Sequence, residues 1–380
     1  MKIPFFDLTR QYATLRTEIA ESVQQVFDSQ QFILGKTVEV FEKQFCETFD
    51  APHAIGMSSG TDAQLAILMA LGLGAGDAVI TTPYTFFATA GCIARVGAEP
   101  VFVDVLPDTL TIDPAQVARV LETAKDGRTA RGNKIRAIIP VHLFGTCADM
   151  VALSELATRY SLDIIEDACQ AVGTFNGSEP IGARSKAAFY SFFPTKNLGG
   201  AGDGGLATCR DAGFADILKR VRNHGMEKQY HHTSVGGNFR IDALQAAVLS
   251  VKLSRLKAWN QARRNHAAQY RAELGDLVTL PTDPAPANND VPQHTYHQYV
   301  IRSSRRDVLK AALDAAEIGS MVYYHVPLHL QPCFAELGYK QGDMPESERA
   351  SRESLALPIF PELRNEEISY ICEIIRKALR

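Results

Sequence analysis

The fold is decided by one stretch, Ser191-Phe192-Phe193-Pro194-Thr195-Lys196-Asn197-Leu198-Gly199-Gly200. It places a lysine in a short turn between an apolar aromatic run, residues 187–193, and a glycine-rich loop. The apolar run predicts a buried strand. A lysine at the end of such a strand is partly desolvated, which lowers the pKa of its amine and makes it available as a nucleophile. Because most lysines only solvate a surface, a second observation is needed.

The second observation is an acidic residue at the end of another predicted strand. Ile164 and Ile165 form the apolar centre of this predicted strand, which leads into Asp167. A cofactor with an aldehyde and a pyridine ring requires a lysine that forms a Schiff base and an acid that keeps the ring nitrogen protonated. An acid in this position more often caps the next helix. The presence of Lys196 favours the cofactor role for Asp167.

Bulk composition limits the classes of protein that this chain can be. Its 380 residues are too many for one compact core and predict two domains. A formal net charge of −4 gives no basic surface for nucleic acid. We find no apolar run near roughly 18 residues and no signal-peptide core, so we expect a cytoplasmic protein that does not enter a membrane. The seven cysteines and ten histidines lack metal-ligand spacing, so no metal site is expected.

The order of predicted elements indicates an α/β protein. Strands are expected at 78–81, 100–104, 135–141 and 162–166, with helices at about 86–96 and 149–160. This alternation implies βαβ units and a mostly parallel sheet flanked by helices. We predict a large domain at residues 1–250 and a smaller α+β domain at residues 251–380.

Three local features are expected in the second half of the chain. One long helix should run from Asp242 to about Gln269. The Pro/Asn-rich stretch 280–290 predicts a loop. Asn365 is a candidate N-cap for a final helix at 365–379.

Nine motifs resemble those of one enzyme family and occur in its order along nearly the whole chain. They are Ser58-Ser59-Gly60-Thr61-Asp62-Ala63, residues 82–90, residues 140–145, Glu166-Asp167-Ala168-Cys169-Gln170, residues 191–200, residues 202–205, residues 222–225, residues 237–242 and residues 327–332. The chain resembles the pyridoxal-phosphate (PLP) dependent nucleotide-sugar aminotransferases of the DegT/StrS type, which have fold type I. The resemblance implies that Lys196 forms the Schiff base with PLP and that Asp167 pairs with the pyridinium nitrogen.

Further cofactor contacts are implied around the ring and the phosphate. Ser59-Gly60-Thr61 opens a predicted helix, where free N–H groups bind phosphate, and Ser191 resembles a second phosphate ligand. Phe86 falls where the family stacks an aromatic ring on PLP, and Gln170 where it contacts the side of the ring. The residues alone leave open an ordinary N-cap at Ser59 and a core role for Phe86.

Substrate contacts are implied in three other places. A glycine-rich loop carries Asn238 and Arg240, and the resemblance places this loop in the neighbouring subunit's site. Asn238 would reach the partner's cofactor phosphate, and Arg240 a substrate anion or the interface. The resemblance therefore implies a homodimer with shared sites. A small-domain loop that carries Tyr323, Tyr324 and His329 would cover the sugar. Tyr84 is an alternative to Phe86 for the contact with the PLP ring.

The function implied is amino transfer from an amino acid, with glutamate expected, to a nucleotide-linked keto-sugar. The motifs around 230–232 and 327–332 resemble the 3-keto enzymes more than the 4-keto ones. Amination at C4 or another position, and a non-catalytic regulatory or sugar-binding protein, remain alternatives. A related dehydratase would carry histidine in place of Lys196. The glycines at 72–77 follow a predicted helix and precede a strand, the reverse of a dinucleotide-binding motif.

Overall fold

The structure is a computed structural model, and it describes residues 1–282 and 293–380. Most of the predicted loop at 280–290 lies outside the described residues. The helices are α1 (Leu8–Ser29), α2 (Lys36–Phe49), α3 (Gly60–Ala70), α4 (Ala88–Arg95), α5 (Pro114–Thr123), α6 (Met150–Tyr160), α7 (Ala212–Arg222), α8 (Ala243–Leu253), α9 (Leu256–Leu274), α10 (Arg306–Ala315), α11 (Pro345–Glu353) and α12 (Asn365–Leu379). The strands are β1 (His53–Met57), β2 (Asp77–Thr81), β3 (Glu99–Phe102), β4 (Lys134–Ile138), β5 (Asp163–Asp167), β6 (Phe175–Asn176), β7 (Glu179–Pro180), β8 (Ala187–Ser191), β9 (Gly205–Cys209), β10 (Met226–Lys228), β11 (His231–His232), β12 (Tyr299–Arg302) and β13 (Ser354–Leu357).

One large sheet organises the first part of the chain. Within the described ranges its seven strands lie in the order β1-β9-β8-β5-β4-β2-β3. Strand β9 is antiparallel to both neighbours, and the remaining pairs are parallel. The predicted α/β class with a mostly parallel mixed sheet is confirmed.

Helices cover both faces of this sheet. One face packs against α3 and α7 through residues such as Ile67 and Leu218. The other packs against α2 and α8 through Phe45 and Leu249. Parallel strands buried on both faces read as continuous apolar runs, which is why β5 and β8 could be recognised from the sequence.

A second hydrophobic cluster surrounds the antiparallel pair β12–β13. Helices α9, α10 and α12 enclose it, with Tyr270, Leu313 and Ile371 fully buried. Ile3 joins this cluster: its N–H donates to the Glu317 carbonyl at 3.0 Å. We propose that this cluster is the core of the smaller α+β domain, residues 251–380. No described helix is long and apolar enough to cross a membrane.

Two expected features of the second half were wrong. The long helix is two helices, because α8 ends at Leu253 and α9 begins at Leu256. Helix α8 packs against α1 and α2, whereas α9 packs against α12. The final helix is capped one residue earlier than expected: the Glu367 carboxylate accepts from the backbone N–H of Arg364 at 2.8 Å.

Glu367 also joins the last helix to the first. Its two carboxylate oxygens each accept a hydrogen bond from the Arg10 guanidinium at 2.8 Å, and the residue is only 1% exposed. The hydrogen bond from Arg10 holds the pKa of Glu367 at about 2, below its ordinary value of 4.5. A carboxylate with a lowered pKa stabilises the folded state above its unfolded pKa.

We expect Glu367→Gln to lower the free energy of unfolding by about 3 kcal/mol at pH 7, because it breaks a buried charged pair. This contribution is complete above the unfolded pKa and is lost as the pH falls from about 4.5 towards 2. Urea unfolding should therefore show a difference from wild type that shrinks between pH 5 and pH 3. Glu366→Gln is the control, since that side chain is 60% exposed and its ion pair contributes below about 1 kcal/mol. Equal effects of the two variants would contradict this role for Glu367.

Candidate active site

A cavity of about 440 Å³ lies beyond the carboxyl ends of β5 and β8, where ligands bind in open α/β sheets. Asp167 is the last residue of β5 and Ser191 the last of β8. The cavity walls include the following predicted site residues: Ser59, Gly60, Thr61, Phe86, Asp167, Gln170, Ser191, Lys196, Tyr323 and Tyr324. The fold thus brings together residues that are up to 265 positions apart in the chain.

The start of α3 forms one end of this cavity. Ser59 is its N-cap and accepts a hydrogen bond from the Asp62 N–H at 3.0 Å. The first N–H groups of a helix have no intrahelical acceptor. A Cβ at Gly60 would lie 2.8 Å from the Ser191 Cβ, and one at Gly205 would lie 2.3 Å from the Ser59 carbonyl carbon. This close approach leaves a cradle of backbone N–H groups that fits a phosphate.

Asp167 is fixed in the interior of the cavity. It is 6% exposed; one carboxylate oxygen accepts from the Thr89 hydroxyl at 2.8 Å, and the other from the Cys169 N–H at 3.1 Å. Burial raises the pKa of Asp167, and these hydrogen bonds and Lys196 oppose that shift. A carboxylate held in this way suits the pyridinium nitrogen of PLP. Thr89 was not predicted, because its motif does not reveal which way a side chain points.

Lys196 lies in a tight turn after β8. Its N–H donates to the Phe193 carbonyl at 2.8 Å, and a Cβ at Gly199 would lie 2.2 Å from the Pro194 carbonyl oxygen. The turn therefore has no room for a side chain at Gly199. Burial lowers the pKa of the Lys196 amine, while the Cys169 thiol and Asp167 oppose the shift. A lysine with a lowered pKa is more readily deprotonated and nucleophilic.

Gln170 follows strand β5 and links it to the loop that carries Tyr324. Its Oε1 accepts from the Phe144 N–H at 2.8 Å, and its Nε2 donates to the Tyr324 hydroxyl at 3.0 Å. The Tyr324 oxygen is therefore an acceptor for Gln170, and its own proton is available for a ligand. Phe86 is 61% exposed at the cavity wall, which leaves its ring free to cover a planar group.

Two residues predicted to contact substrate are buried elsewhere. Tyr84 is 0% exposed, and its hydroxyl bonds to the Ser354 hydroxyl at 3.0 Å and to the Tyr323 carbonyl. His329 is 1% exposed, and its Nε2 lies 3.2 Å from a Glu348 carboxylate oxygen. Neither side chain lines the cavity. Both substrate contacts remain predictions, because in this structure the two side chains join loops.

Asn238 and Arg240 also lie outside the cavity of this single chain. Arg240 donates to the Asn223 side-chain oxygen at 2.6 Å, and Asn238 forms a backbone bridge to Asn223. Their expected roles involve a second subunit, so both remain predictions.

His297 and Gln298 line the cavity, although the sequence analysis did not identify them. They belong to a dense polar and aromatic run, residues 294–298, immediately before β12. Such a run at the edge of a strand was an available signal. The run lies about 100 residues from Lys196 in the chain, so the sequence alone did not indicate that the two are in the same cavity.

Comparison with known proteins decides the family. The model of the DegT/DnrJ/EryC1/StrS aminotransferase family matches residues 13–376.

The chain belongs to the DegT/DnrJ/EryC1/StrS aminotransferase family.

Members of this aminotransferase family resemble the protein over its whole length. The "Pleiotropic regulatory protein" of Geobacillus stearothermophilus is 47% identical, over 100% of this chain and 99% of the relative. The dTDP-3-amino-3,4,6-trideoxy-alpha-D-glucose transaminase of Streptomyces venezuelae is 38% identical, over 99% and 96%. The DesV protein of S. venezuelae, solved with a ketimine intermediate, superposes with a TM-score of 0.93 at 38% identity, over 100% of this chain and 99% of that one.

Membership confirms the predicted enzyme class and cofactor. The protein is a PLP-dependent aminotransferase, as the family is. The cavity residues fit the cofactor: the N-terminus of α3 suits its phosphate, Asp167 its ring nitrogen and Lys196 its aldehyde.

Proposed function

We propose that the protein transfers an amino group from glutamate to C3 of a nucleotide-linked 3-keto-sugar in the cytoplasm. The observation that carries this proposal is the meeting of Lys196 and Asp167 in one cavity beside the N-terminus of α3. The position on the sugar is supported by the S. venezuelae relative, whose name specifies a 3-amino sugar. No arginine lines the cavity among the described residues, so a second subunit would supply a cation for the donor's carboxylates.

Each residue of the cavity has a distinct part in this reaction. When bound, PLP supplies an aldehyde for amine exchange and a ring that takes up an electron pair. The first N–H groups of α3 and the Ser191 hydroxyl would bind the phosphate, and Phe86 would cover the ring. The Asp167 carboxylate would accept a hydrogen bond from the ring nitrogen and favour its protonated form.

Lys196 moves the proton. Its Nζ would take the proton from the donor's Cα and pass it to the cofactor carbon, and it would carry a proton in the opposite direction when the keto-sugar is aminated. Burial lowers the pKa of this amine, so a larger fraction is deprotonated and able to accept a proton at neutral pH. The Tyr324 hydroxyl proton, which Gln170 leaves free, can bind an oxygen of the sugar.

The assembly proposed is a homodimer with two composite sites. The hairpin β10–β11 and the loop that follows it expose two large side chains, Tyr230 at 85% and Val235 at 82%. Such exposed apolar groups next to a polar glycine-rich loop favour contact with another chain. In the dimer, Asn238 and Arg240 of each subunit would reach the partner's cavity.

Mixing two inactive variants tests this assembly. Lys196→Ala and Asn238→Ala each impair the enzyme alone, but a heterodimer carries both defects in one site and neither in the other. After subunit exchange, about a quarter of all sites should be intact, and activity should return in proportion. As control, Lys196→Ala mixed with Asp167→Asn should recover nothing, since both residues belong to the same chain's site. No recovery in the first mixture, with exchange confirmed by mass spectrometry, would refute the shared site.

Substrate identity is tested with a panel of dTDP-, UDP- and GDP-linked 3-keto- and 4-keto-sugars, with glutamate as donor. Mass spectrometry of the amino sugar and detection of 2-oxoglutarate report turnover. The expected result is the highest kcat/KM with a 3-keto-sugar. Turnover restricted to 4-keto-sugars would overturn the proposed position while leaving the reaction class in place.

A regulatory role is the second candidate, because the Geobacillus relative carries a regulatory name. A regulator or sugar-binding protein has no need for the pairing of a desolvated Lys196 with Asp167. The purified protein separates the two functions. A near-visible absorption band that disappears when glutamate is added indicates the enzyme, whereas binding of sugar nucleotides without such a band indicates a regulator.

A further inference from the structure

Asn197, the residue after Lys196, ties the lysine turn to two distant parts of the chain. Its Nδ2 donates to the Asn260 side-chain oxygen at 2.8 Å and to the Thr295 carbonyl at 3.1 Å. Because both partners are acceptors, the orientation of the Asn197 amide is fixed. Its Oδ1 therefore faces the His297 ring, 3.1 Å from Nδ1.

This arrangement fixes the tautomer of His297. Since the Asn197 Oδ1 is an acceptor, the proton of the neutral imidazole lies on Nδ1. The other ring nitrogen, Nε2, is then an acceptor and lies 3.4 Å from the amide nitrogen of Gln298. His297 is 4% exposed, and its ring forms part of the cavity wall near Lys196.

Charged neighbours keep this imidazole neutral. Burial, together with the positive charges of Lys196 and Arg263, lowers the pKa of His297 well below its ordinary value. The Arg263 guanidinium also holds the backbone of this segment, donating to the Tyr296 carbonyl at 3.1 Å and to the Ile359 carbonyl at 2.6 Å. The ring thus supplies a hydrogen bond beside Lys196 without a second positive charge.

We propose that His297 is a positioning residue for Lys196. Its Nδ1–H donates a hydrogen bond to the side-chain Oδ1 of Asn197. This bond keeps the lysine turn in place, with the Lys196 amine buried and facing the cavity. The proposal rests on the proposed function only in taking Lys196 as the reactive lysine. Without this hydrogen bond, the turn should loosen, the amine should reach more water, and its proton affinity should rise.

Two substitutions at one position separate this role from simple packing. In His297→Asn, the side-chain amide nitrogen takes the place of Nδ1 and can still donate to Asn197. In His297→Gln, it takes the place of Nε2 and leaves the Asn197 oxygen without its donor. An unsatisfied buried acceptor costs enough for a loss of roughly tenfold to 100-fold. We therefore expect kcat to fall by about that factor in His297→Gln and by less than about fivefold in His297→Asn, with little change in KM for the donor.

The second readout does not depend on activity. Cofactor-free full-length protein is treated with acetic anhydride over a range of pH, and acetylation of Lys196 is measured by mass spectrometry. The midpoint of labelling should match wild type in His297→Asn and move up by about one pH unit or more in His297→Gln, since the amine becomes less buried. Asn197→Ala removes the acceptor at the other end of the bond and should shift the midpoint in the same direction. If His297→Gln does not fold, Asn197→Ala is used in its place to test the proposal.

The matched control is the same pair of substitutions at His266. This histidine is also buried, at 7% exposure, and lies on α9 outside the cavity. Both His266 variants should leave the Lys196 midpoint unchanged. Equal behaviour of His297→Asn and His297→Gln, whether both impaired or both unaffected, would overturn the proposal. A finding that another lysine carries the cofactor would instead refute the proposed function, and the acetylation midpoint would still report on the bond between His297 and Asn197.

Discussion

Lys196→Ala is expected to abolish turnover and to leave PLP bound only reversibly. The substitution removes both the covalent attachment of the cofactor and the base that moves the proton. General acid–base catalysis alone contributes roughly 10²–10⁴-fold, so the combined loss should exceed about 10⁴-fold. The fold should be retained, because the buried Asp167 carboxylate keeps its hydrogen bonds from the Thr89 hydroxyl and the Cys169 N–H. The measurement is steady-state turnover, together with borohydride reduction of the holoenzyme and mass spectrometry of the labelled peptide.

Borohydride should label Lys196 in wild type and no lysine in the variant. Lys186→Ala is the matched control: this lysine precedes the same strand, β8, at its opposite end, and its amine lies over the Phe214 ring. Turnover and labelling should be unchanged there. Labelling of any lysine other than Lys196 in wild type would remove the central assignment of the site.

Asp167→Asn is expected to preserve the fold and to reduce kcat by about 10²-fold or more, as the loss of other preorganised electrostatic partners does. The amide can still accept a hydrogen bond from the Cys169 N–H, but it carries no charge to hold the ring nitrogen protonated. The electron sink is therefore weakened at every step that needs it. Turnover of both half-reactions should fall, and stopped-flow absorbance measures each half separately.

Two comparisons isolate the charge. Thr89→Val removes the hydroxyl that donates to Asp167 at 2.8 Å but keeps the carboxylate, so its loss should be smaller than that of Asp167→Asn. Asp163→Asn, at the first position of the same strand, should have wild-type activity. Near-wild-type turnover in Asp167→Asn would rule out its role as partner of the ring nitrogen.

Elements with strong local patterns were predictable from the sequence. The buried strands β5 and β8 and the helices flanking them are encoded in apolar runs and periodic faces. The break between α8 and α9 was not, since Ser254 and Arg255 fit a helix and only packing against different partners separates the two. The Arg364 cap depends on a carboxylate three residues later, Glu367, which an Asn at position 365 obscured.

Site residues could be predicted from the sequence where a short local pattern identified them. Lys196 and Asp167 stand at strand ends that the sequence marks. Tyr84 shares its motif with cavity residues such as Phe86, but a motif does not show which side chains turn inward. The contact between His297 and Asn197 joins segments 100 residues apart and could only be seen once the chain was folded.

The position of Ile3 has a consequence for the order in which the chain folds. Ile3 pairs with the segment at residues 317–319 through its own N–H and carbonyl. Arg10 donates two hydrogen bonds to the Glu367 carboxylate. A ribosome makes Arg10 357 residues before Glu367, so these two partners can meet only after the segment between them has been synthesised. Contacts of such long sequence separation form late. We therefore expect the large sheet to form before the cluster around Tyr270 and Ile371 is complete. A fragment spanning 251–380 lacks Ile3 and Arg10, so we expect it to fold incompletely on its own.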